Sequence, residues 1–433
     1  MRLKVLPHPD SKWYSAMVIV LSVTGVFITY FSMYAFRKPF TAGVYPEMML
    51  WGFDYKIVLL ISQVAGYTVS KFLGIKVVAE LKPSARIKYI LGLIGVSWIA
   101  LFFFGLVPSP YNFVFLFFNG LPLGMIWGIV FAFIEGRMQT ELLAAGMASS
   151  FIVSSGFVKS VGRALVLDGI SEFWMPFLTG LIFIPPLLLG VWILSKLPPP
   201  TKNDELARTE RAPMLRKDRA RFFYAFAPGI IIVTIIYMAL NAYRDFRDNF
   251  AVEIWNSFGF SEQPEILAYS EIPIAILVLV ISGSMILIKN NRRAFYVNFY
   301  IIGFGGALLF ITTLFFQSGR LNPALWMILV GFGMYLPYIF YHTMLFERWI
   351  ALFRYRSNIG FLMYICDSFG YLSSVGILLY KDLFDHEIRW VDFFVNISLV
   401  FGLLSLGLSL IGGLYFIYKE KKGLIPKPYR SQI

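Results

Sequence analysis

Eleven ionisable side chains interrupt long apolar runs of this sequence, and they are the groups that could do chemistry. A charged side chain near the middle of a membrane-spanning helix costs about 2.5–3.5 kcal/mol on insertion scales, so such residues usually face a cavity and act there. Basic groups outnumber acidic ones, and a basic cavity of low dielectric attracts anions. The planar guanidinium of arginine suits two oxygens of one phosphate or carboxylate. The eleven residues are Arg37, Lys38, Lys71, Lys159, Arg163, Arg244, Arg247, Glu135, Asp245, Asp248 and Asp367.

Two arginines end corresponding apolar runs. Arg37 is followed by Lys38, and the pair is either an interfacial anchor, as basic side chains at span ends often are, or a cavity group. The chain beyond them stays apolar, which favours a first helix that continues past Arg37 and leaves it at depth. Arg244 has the same two interpretations and a third, a local salt bridge with Asp245 or Asp248.

Lys71 lies well inside the second apolar run. Gly66, Ser70 and Gly74 precede and follow it at four-residue spacing, which permits another helix to approach closely. Lys71 would lie beside that face rather than in lipid, and Tyr67, one turn earlier, adds a hydroxyl donor. We therefore expect Lys71 and Tyr67 to line a cavity.

Further basic groups occur in the fifth and tenth runs. Lys159 and Arg163 are one helical turn apart and form a basic stripe that either lines the cavity or reaches outward to the interface. His342 is either a polar cavity group or a histidine satisfied by helix packing.

Two acids have candidate coupling or gating roles. Asp367 either carries a proton or neutralises a nearby arginine, and the second interpretation is slightly favoured. Glu135 and Arg137 end the fourth run, where we expect an ion pair that closes a gate.

Composition decides which elements must position these side chains. Of 433 residues, 58% are hydrophobic and 15% are charged, whereas soluble domains carry about 25% charged residues. Apolar runs longer than about 18 residues recur throughout, and in lipid they must form helices because their backbone groups have to be satisfied internally. The predicted fold class is therefore an all-α membrane protein.

Several function classes are excluded or disfavoured. Cys366 is the single cysteine, so the sequence predicts no intramolecular disulfide and no cysteine-rich metal site. The sequence contains no P-loop, no His-Glu-x-x-His run and no Gly-x-Ser-x-Gly elbow, so we expect no ATP-driven transport, no enzyme activity, no metal and no cofactor. The net charge of +13 is spread over short loops, which disfavours a nucleic-acid partner.

Twelve spans are predicted, and the lysines and arginines of alternate loops place both termini in the cytoplasm. We expect a multi-pass protein of the cell (inner) membrane, with the lipid bilayer as partner, acting as a monomer. The predicted spans are 14–36, 57–79, 88–107, 111–134, 146–168, 173–196, 223–247, 266–288, 294–316, 323–346, 358–380 and 391–418.

A charged linker separates two halves of the chain. We predict an N-terminal six-helix bundle over residues 1–197, a cytoplasmic linker over 198–221 and a C-terminal six-helix bundle over 222–433. Ala35-Phe36-Arg37 ends the first span and Ala242-Tyr243-Arg244 ends the seventh, at similar depth. Two related halves joined by a linker are typical of transporters whose repeats rock about a central site.

Three short motifs carry a resemblance. Tyr34-Ala-Phe-Arg37-Lys38-Pro-Phe40 resembles the first-helix signature of the organophosphate:phosphate antiporters of the major facilitator superfamily, the glycerol-phosphate and hexose-phosphate carriers. Gly66-Tyr67-Thr-Val-Ser70-Lys71-Phe72 is similar to their second-helix segment, and Phe369-Gly370-Tyr371-Leu372 to their penultimate helix.

The resemblance implies a major facilitator fold and a role for each matching residue. Arg37 would be the substrate arginine of the N-terminal half, Arg244 its counterpart, Lys71 a cavity lysine and His342 a residue of the tenth helix. Two departures are visible: Asp245 follows Arg244 directly, and the loop after the second span lacks the Gly-x-x-x-Asp-Arg pattern of the family.

The expected function is a secondary active transporter that moves a small organic anion, such as a phosphorylated metabolite, by alternating access. Antiport against phosphate is what the resemblance implies. The alternatives are a proton-coupled transporter of another solute class and a non-transporting sensor with a transporter fold.

Overall fold

The structure, a computed structural model, describes residues 12–134, 140–198, 216–353, 359–384 and 388–422. Two predicted gating residues, Glu135 and Arg137, lie outside these ranges.

The described chain is almost wholly helical, with one small hairpin. The α-helices that precede residue 198 are Lys12–Met33, Tyr55–Glu80, Arg86–Leu106, Phe113–Leu123, Ile126–Phe131, Thr140–Leu167, Met175–Ile182 and Ile184–Ser195. Those that follow residue 215 are Arg216–Asn249, Ala251–Ser257, Ile266–Tyr269, Glu271–Ser284, Asn291–Gln317, Pro323–Phe340, Phe346–Phe353, Ile359–Phe384 and Trp390–Lys421. Short 3-10 helices occupy Tyr34–Phe36, Pro39–Ala42, Pro83–Ala85 and Met285–Leu287, and a π-helical turn occupies Tyr341–Leu345.

Strands Met49–Leu50 and Phe53–Asp54 pair antiparallel in the loop between the first two spans. Trp51 and Gly52 between them have φ angles of 54° and 82°, as a two-residue hairpin turn of the primed type requires.

Within the described ranges, eleven helices are long and apolar enough to cross a membrane, and one further pair, bent by 44°, forms a twelfth if taken as a single span. The bent pair is Met175–Ile182 with Ile184–Ser195, and Pro185 and Pro186 follow the bend. The predicted all-α fold with twelve spans is confirmed. Numerous large apolar side chains, such as Val280 and Leu403, are exposed on the helices, as a surface facing lipid requires.

The first helix does not continue past Arg37, and that prediction was wrong. The α-helix ends at Met33, a 3-10 turn covers Tyr34–Phe36, and a second 3-10 turn begins at Pro39. Proline has no amide hydrogen to donate, and its ring clashes with the carbonyl four residues earlier, so an α-helix does not pass smoothly through it. Arg37 therefore lies in the break between two tight turns.

The seventh span is kinked near its start. Its helix, Arg216–Asn249, contains Pro228, and Phe226 has non-helical angles (φ −126°, ψ 16°). Pro228 leaves the carbonyl of Tyr224 without its helical donor, which explains the position of the bend.

Two compact units make up the chain. The first consists of Met1–Arg208 and Asn249–Ile272, and the second of Thr209–Asp248 and Pro273–Ile433. The segment that joins the seventh span to the eighth, together with the first residues of the eighth, belongs to the first unit.

The second and fourth spans approach very closely within the first unit. A Cβ added at Gly66 would collide with the carbonyl oxygen of Phe117, and one at Gly120 with that of Gln63. At Gly74 an added Cβ would lie 2.9 Å from Cγ of Met125. The predicted close approach of another helix to the small-residue face of the second span is confirmed.

Candidate functional site

Arg37 and Lys71 lie on the same aromatic ring in the first unit. The guanidinium carbon of Arg37 is 4.2 Å from the centre of the Tyr67 ring, and Nζ of Lys71 is 5.6 Å from it. Tyr67 is only 5% exposed, so its ring is a fixed surface for both cations. The structure therefore brings together three of the predicted binding residues.

A chain of amide hydrogen bonds holds the backbone at Arg37. Gln63 donates from Nε2 to the carbonyl of Arg37 at 2.8 Å and to Oδ1 of Asn119 at 2.7 Å. Asn119 in turn donates from Nδ2 to the carbonyl of Phe36 at 2.8 Å. Because the first helix ends at Met33, these side chains from the second and fourth spans replace helical bonding at the site.

The loop after Arg37 is fixed by a carboxylate. Glu172 accepts hydrogen bonds from the backbone amides of Val44 (2.6 Å) and Tyr45 (2.9 Å). The Tyr45 hydroxyl donates to the carbonyl of Phe40 at 3.0 Å. Burial, and secondarily the Glu172 carboxylate, raise the pKa of Tyr45, so this hydroxyl keeps its proton at neutral pH.

Lys38 and Lys159 are placed apart from the Tyr67 ring. Nζ of Lys38, buried at 7% exposure, donates to Oδ1 of Asn249 at 2.8 Å. Lys159 is 2% exposed and lies close enough to Lys56 for the two charges to interact. The basic residues of the first unit therefore form two groups, one around Tyr67 and one beside the 249–272 segment.

Lys56 forms a buried ion pair that sequence reasoning missed. Its Nζ donates to the Glu253 carboxylate, and also to the carbonyl of Thr41 at 2.9 Å. Lys56 lies at the start of the second span, and a lysine at the end of a span is usually interpreted as an interfacial residue. No sequence signal links it to an acid almost two hundred residues later.

Arg244 in the second unit is paired with its neighbour. Its Nε and Nη2 donate to Oδ1 of Asp245 at 3.0 and 2.6 Å, and its guanidinium carbon lies 4.4 Å from the centre of the Tyr338 ring. Ser374 donates to the other oxygen of Asp245 at 2.7 Å. The local salt bridge considered from the sequence is present, so most of the charge of Arg244 is already balanced.

Asp367 and His342 meet through a tyrosine. The Tyr237 hydroxyl donates to Oδ1 of Asp367 at 2.6 Å and lies 3.4 Å from Nε2 of His342. The Tyr338 ring contacts both the tyrosine and the histidine of this cluster. Its centre is 5.7 Å from that of the Tyr237 ring and 4.7 Å from that of the His342 ring.

The backbone at His342 is also unusual. His342 lies in the π-helical turn Tyr341–Leu345 that interrupts the tenth span, and such turns occur frequently at functional sites. Pro337, four residues before Tyr341, removes the donor that would otherwise bond to the carbonyl of Gly333.

The polar face of the seventh span could have been found from the sequence. Tyr237, Asn241 and Arg244 recur at spacings of four and three residues, so they share one face of a helix. Asn241 donates to the carbonyl of Gly370 and to Ser374 Oγ, both at 2.8 Å. Arg247 lies off this cluster and donates from Nη2 to the Met327 carbonyl at 3.1 Å.

Comparison with solved structures shows the fold. A bacterial homologue of the human drug peptide transporters PepT1 and PepT2 superposes with a TM-score of 0.61 at 11% identity, covering 95% of this chain and 99% of that one. A bacterial homologue of the human lysosomal transporter Spinster gives 0.57 at 12% identity, covering 94% and 99%. A POT family transporter solved with 5-aminolevulinic acid gives 0.56 at 12% identity, covering 93% and 96%.

These neighbours are transporters of the major facilitator type, and they support that fold without singling out the organophosphate:phosphate antiporters. No curated protein sequence matches the chain significantly. A family model matches residues 39–419, nearly the whole of the spans described above. The chain therefore belongs to the family of unknown function DUF5690.

Proposed function

We propose that this protein is a secondary transporter of a small organic anion and that Arg37 and Lys71 bind the anion. The observation that carries the proposal is the convergence of these two cations on the buried ring of Tyr67. Two positive charges beside one aromatic ring in a low-dielectric region favour a ligand with two or more negative oxygens. A phosphate ester or a carboxylate has that chemistry.

Arg244 has a different part in this proposal. Its charge is balanced by Asp245, so it contributes less attraction for an anion than Arg37 does. A carrier with strong anion binding in one unit and a neutralised arginine in the other is asymmetric. That asymmetry favours a general anion carrier over the symmetric two-arginine arrangement that the resemblance implies.

The test is transport by the full-length protein reconstituted into proteoliposomes. Counterflow of radiolabelled sugar phosphates, glycerol phosphate and small carboxylates is measured for the wild type, for Arg37→Gln and for Lys71→Gln. The matched controls are Arg320→Gln and Lys82→Gln, because both residues are exposed. We expect the first two variants to lose most uptake of the preferred anion and the controls to retain it.

Two results would reject the proposal. Normal counterflow in Arg37→Gln and Lys71→Gln removes these residues from the site. Absence of counterflow for every anion tested, with folded protein in the vesicles, favours the sensor alternative instead.

Proton-coupled transport is the second candidate, and the Asp367–Tyr237–His342 contacts favour it. A carboxylate joined through a tyrosine hydroxyl to an imidazole places two groups able to exchange protons within one helical cluster. Uptake driven by an imposed pH gradient, abolished in Asp367→Asn, would support this candidate over anion exchange.

Localisation completes the proposal. The chain is a multi-pass membrane protein. The lysines and arginines of alternate loops support cytoplasmic termini, and we propose the inner cell membrane as the site of action. Cysteine accessibility at Lys12→Cys against Tyr111→Cys, two positions on opposite ends of the spans, tests the orientation.

A further inference from the structure

We propose that Arg163 and the segment packed against it form a second oxyanion-binding site, separate from the Tyr67 cluster. The site would bind a phosphate or carboxylate group at the face of the first unit where the first and fifth spans end. It is independent of the transport proposal, since none of the residues around Tyr67 takes part in it.

Arg163 is an arginine whose side chain makes no hydrogen bond or ion pair with any described residue. Its Nε atom is buried and has no partner in the described part of the chain. An N–H group taken from water normally finds an acceptor, because a buried donor left without one destabilises the folded state. A buried donor on a cation therefore favours an anion as its partner.

A shallow groove, open to solvent on one side, lies beside this side chain. Beside Arg163 its wall carries three polar side chains, Asn256, Ser261 and Gln263, and two aromatic ones, Trp255 and Phe260. The polar three likewise make no side-chain hydrogen bond with a described residue, so their donors are available to a ligand. An oxygen of a phosphate or carboxylate group that enters this groove from solvent meets the guanidinium and these neutral donors.

Several contacts hold the wall of the groove in place. The Ser160 hydroxyl, three residues before Arg163, donates to the carbonyl of Pro264 in the facing segment. One turn earlier, Gly156 lies so close to the carbonyl of Leu267 that a Cβ would collide with it. The rings of Trp255 and Phe260 meet edge to face at 5.2 Å. These contacts fix the segment against the fifth span and hold the groove open.

The local charge also favours an anion. Lys159 lies one turn before Arg163 on the same helix. Glu262 and Glu265 belong to the facing segment, but neither lines the groove or pairs with Arg163. Arg163 is therefore the charged residue among those that line the groove.

Thermal unfolding of the purified full-length protein in a neutral detergent tests the site. The probes are inorganic phosphate and acetate, each against chloride at equal ionic strength, and micelles containing phosphatidylglycerol against phosphatidylcholine. A ligand that binds the folded state raises Tm with its concentration. We expect an oxyanion to raise Tm of the wild type and its apparent affinity to fall at least about tenfold in Arg163→Gln, which loses a charged hydrogen-bond donor.

Three further variants make the result specific. Arg320→Gln, an exposed arginine, should respond as the wild type does. Arg163→Lys keeps the charge without the forked donor geometry, so it should stay folded and bind more weakly even if Arg163→Gln expresses poorly. Stabilisation that survives Arg37→Gln but not Arg163→Gln belongs to this groove and not to the transport site.

The lipid arms identify the source of the oxyanion. Stabilisation by phosphate or acetate assigns a soluble anion, and stabilisation by phosphatidylglycerol alone assigns a lipid headgroup. The proposal is overturned if no oxyanion raises Tm of the wild type. It is also overturned if Arg163→Gln responds to every probe as the wild type does.

Discussion

Removing one partner of the buried ion pair between Lys56 and Glu253 should destabilise the first unit more than removing both partners together. The two side chains are 1% and 8% exposed, and Oε2 of Glu253 has no hydrogen-bond partner among the described residues. Lys56→Met keeps the volume of the side chain but leaves Glu253 with an uncompensated buried charge. Breaking a buried pair in this way costs about 3–5 kcal/mol.

Replacing both partners should restore most of that loss. Lys56→Met with Glu253→Leu removes both charges together, and such replacements are often neutral or stabilising by about 1–4 kcal/mol. The hydrogen bond from Lys56 to the Thr41 carbonyl is lost in either case, at about 1 kcal/mol. We therefore expect the double variant to be more stable than either single variant.

Thermal unfolding in detergent, followed by tryptophan fluorescence, measures the four proteins of this cycle. At about 2–4 °C for each kcal/mol in a unit of this size, Lys56→Met should lower Tm by about 6–20 °C. Lys82→Met, at an exposed lysine, is the control for loss of a positive charge. Additive effects of the two single substitutions, or a loss below about 1 kcal/mol for Lys56→Met, would refute the reasoning.

Three other substitutions test the packing and the site. Gly120→Leu should lower the free energy of unfolding by about 3 kcal/mol or more, because its Cβ would meet the Gln63 carbonyl. Gly92→Leu is the control, since Gly92 has open space around it, and it should not lower that free energy. Thermal unfolding of both variants makes the comparison. Tyr67→Phe should retain anion affinity, because the face of the ring remains. Tyr67→Leu should weaken anion binding by about 0.5–2 kcal/mol in a binding titration. Equal affinities of the two variants would show that the ring does not contribute to the site. Asp245→Asn should release the charge of Arg244 and raise anion affinity several-fold in the same titration, and a decrease would show that the pair itself binds substrate.

Much of the fold was accessible from the sequence, because lipid leaves a chain few choices. Apolar runs long enough to cross a bilayer must form helices. The lysines and arginines of the loops predict which end of each helix faces the cytoplasm. The small-residue face at Gly66 predicted a close helix, since only residues without bulk permit such an approach. The end of the first helix was predicted wrongly because Pro39 was given too little weight against the apolar residues that follow it.

The site was accessible only where its residues share one helix or one motif. Tyr67 and Lys71 are one helical turn apart, so their interaction follows from helical spacing. Asp245 directly follows Arg244 in the sequence, which made a local salt bridge a visible alternative. Lys56 with Glu253, and Tyr237 with Asp367, join residues more than a hundred positions apart. A single sequence carries no signal for such pairs, because they depend on how helices pack side by side.

The placement of residues 249–272 in the first unit bears on how this protein can be divided. A fragment ending in the charged stretch after the sixth span would contain Lys38 and Lys56 without Asn249 and Glu253. If the two halves are coexpressed as separate chains, those bonds have to form between two polypeptides. The yield of the assembled protein would then measure how much residues 249–272 contribute to assembly. The division between the two units therefore falls not only in the charged linker but also after Asp248 and after Ile272.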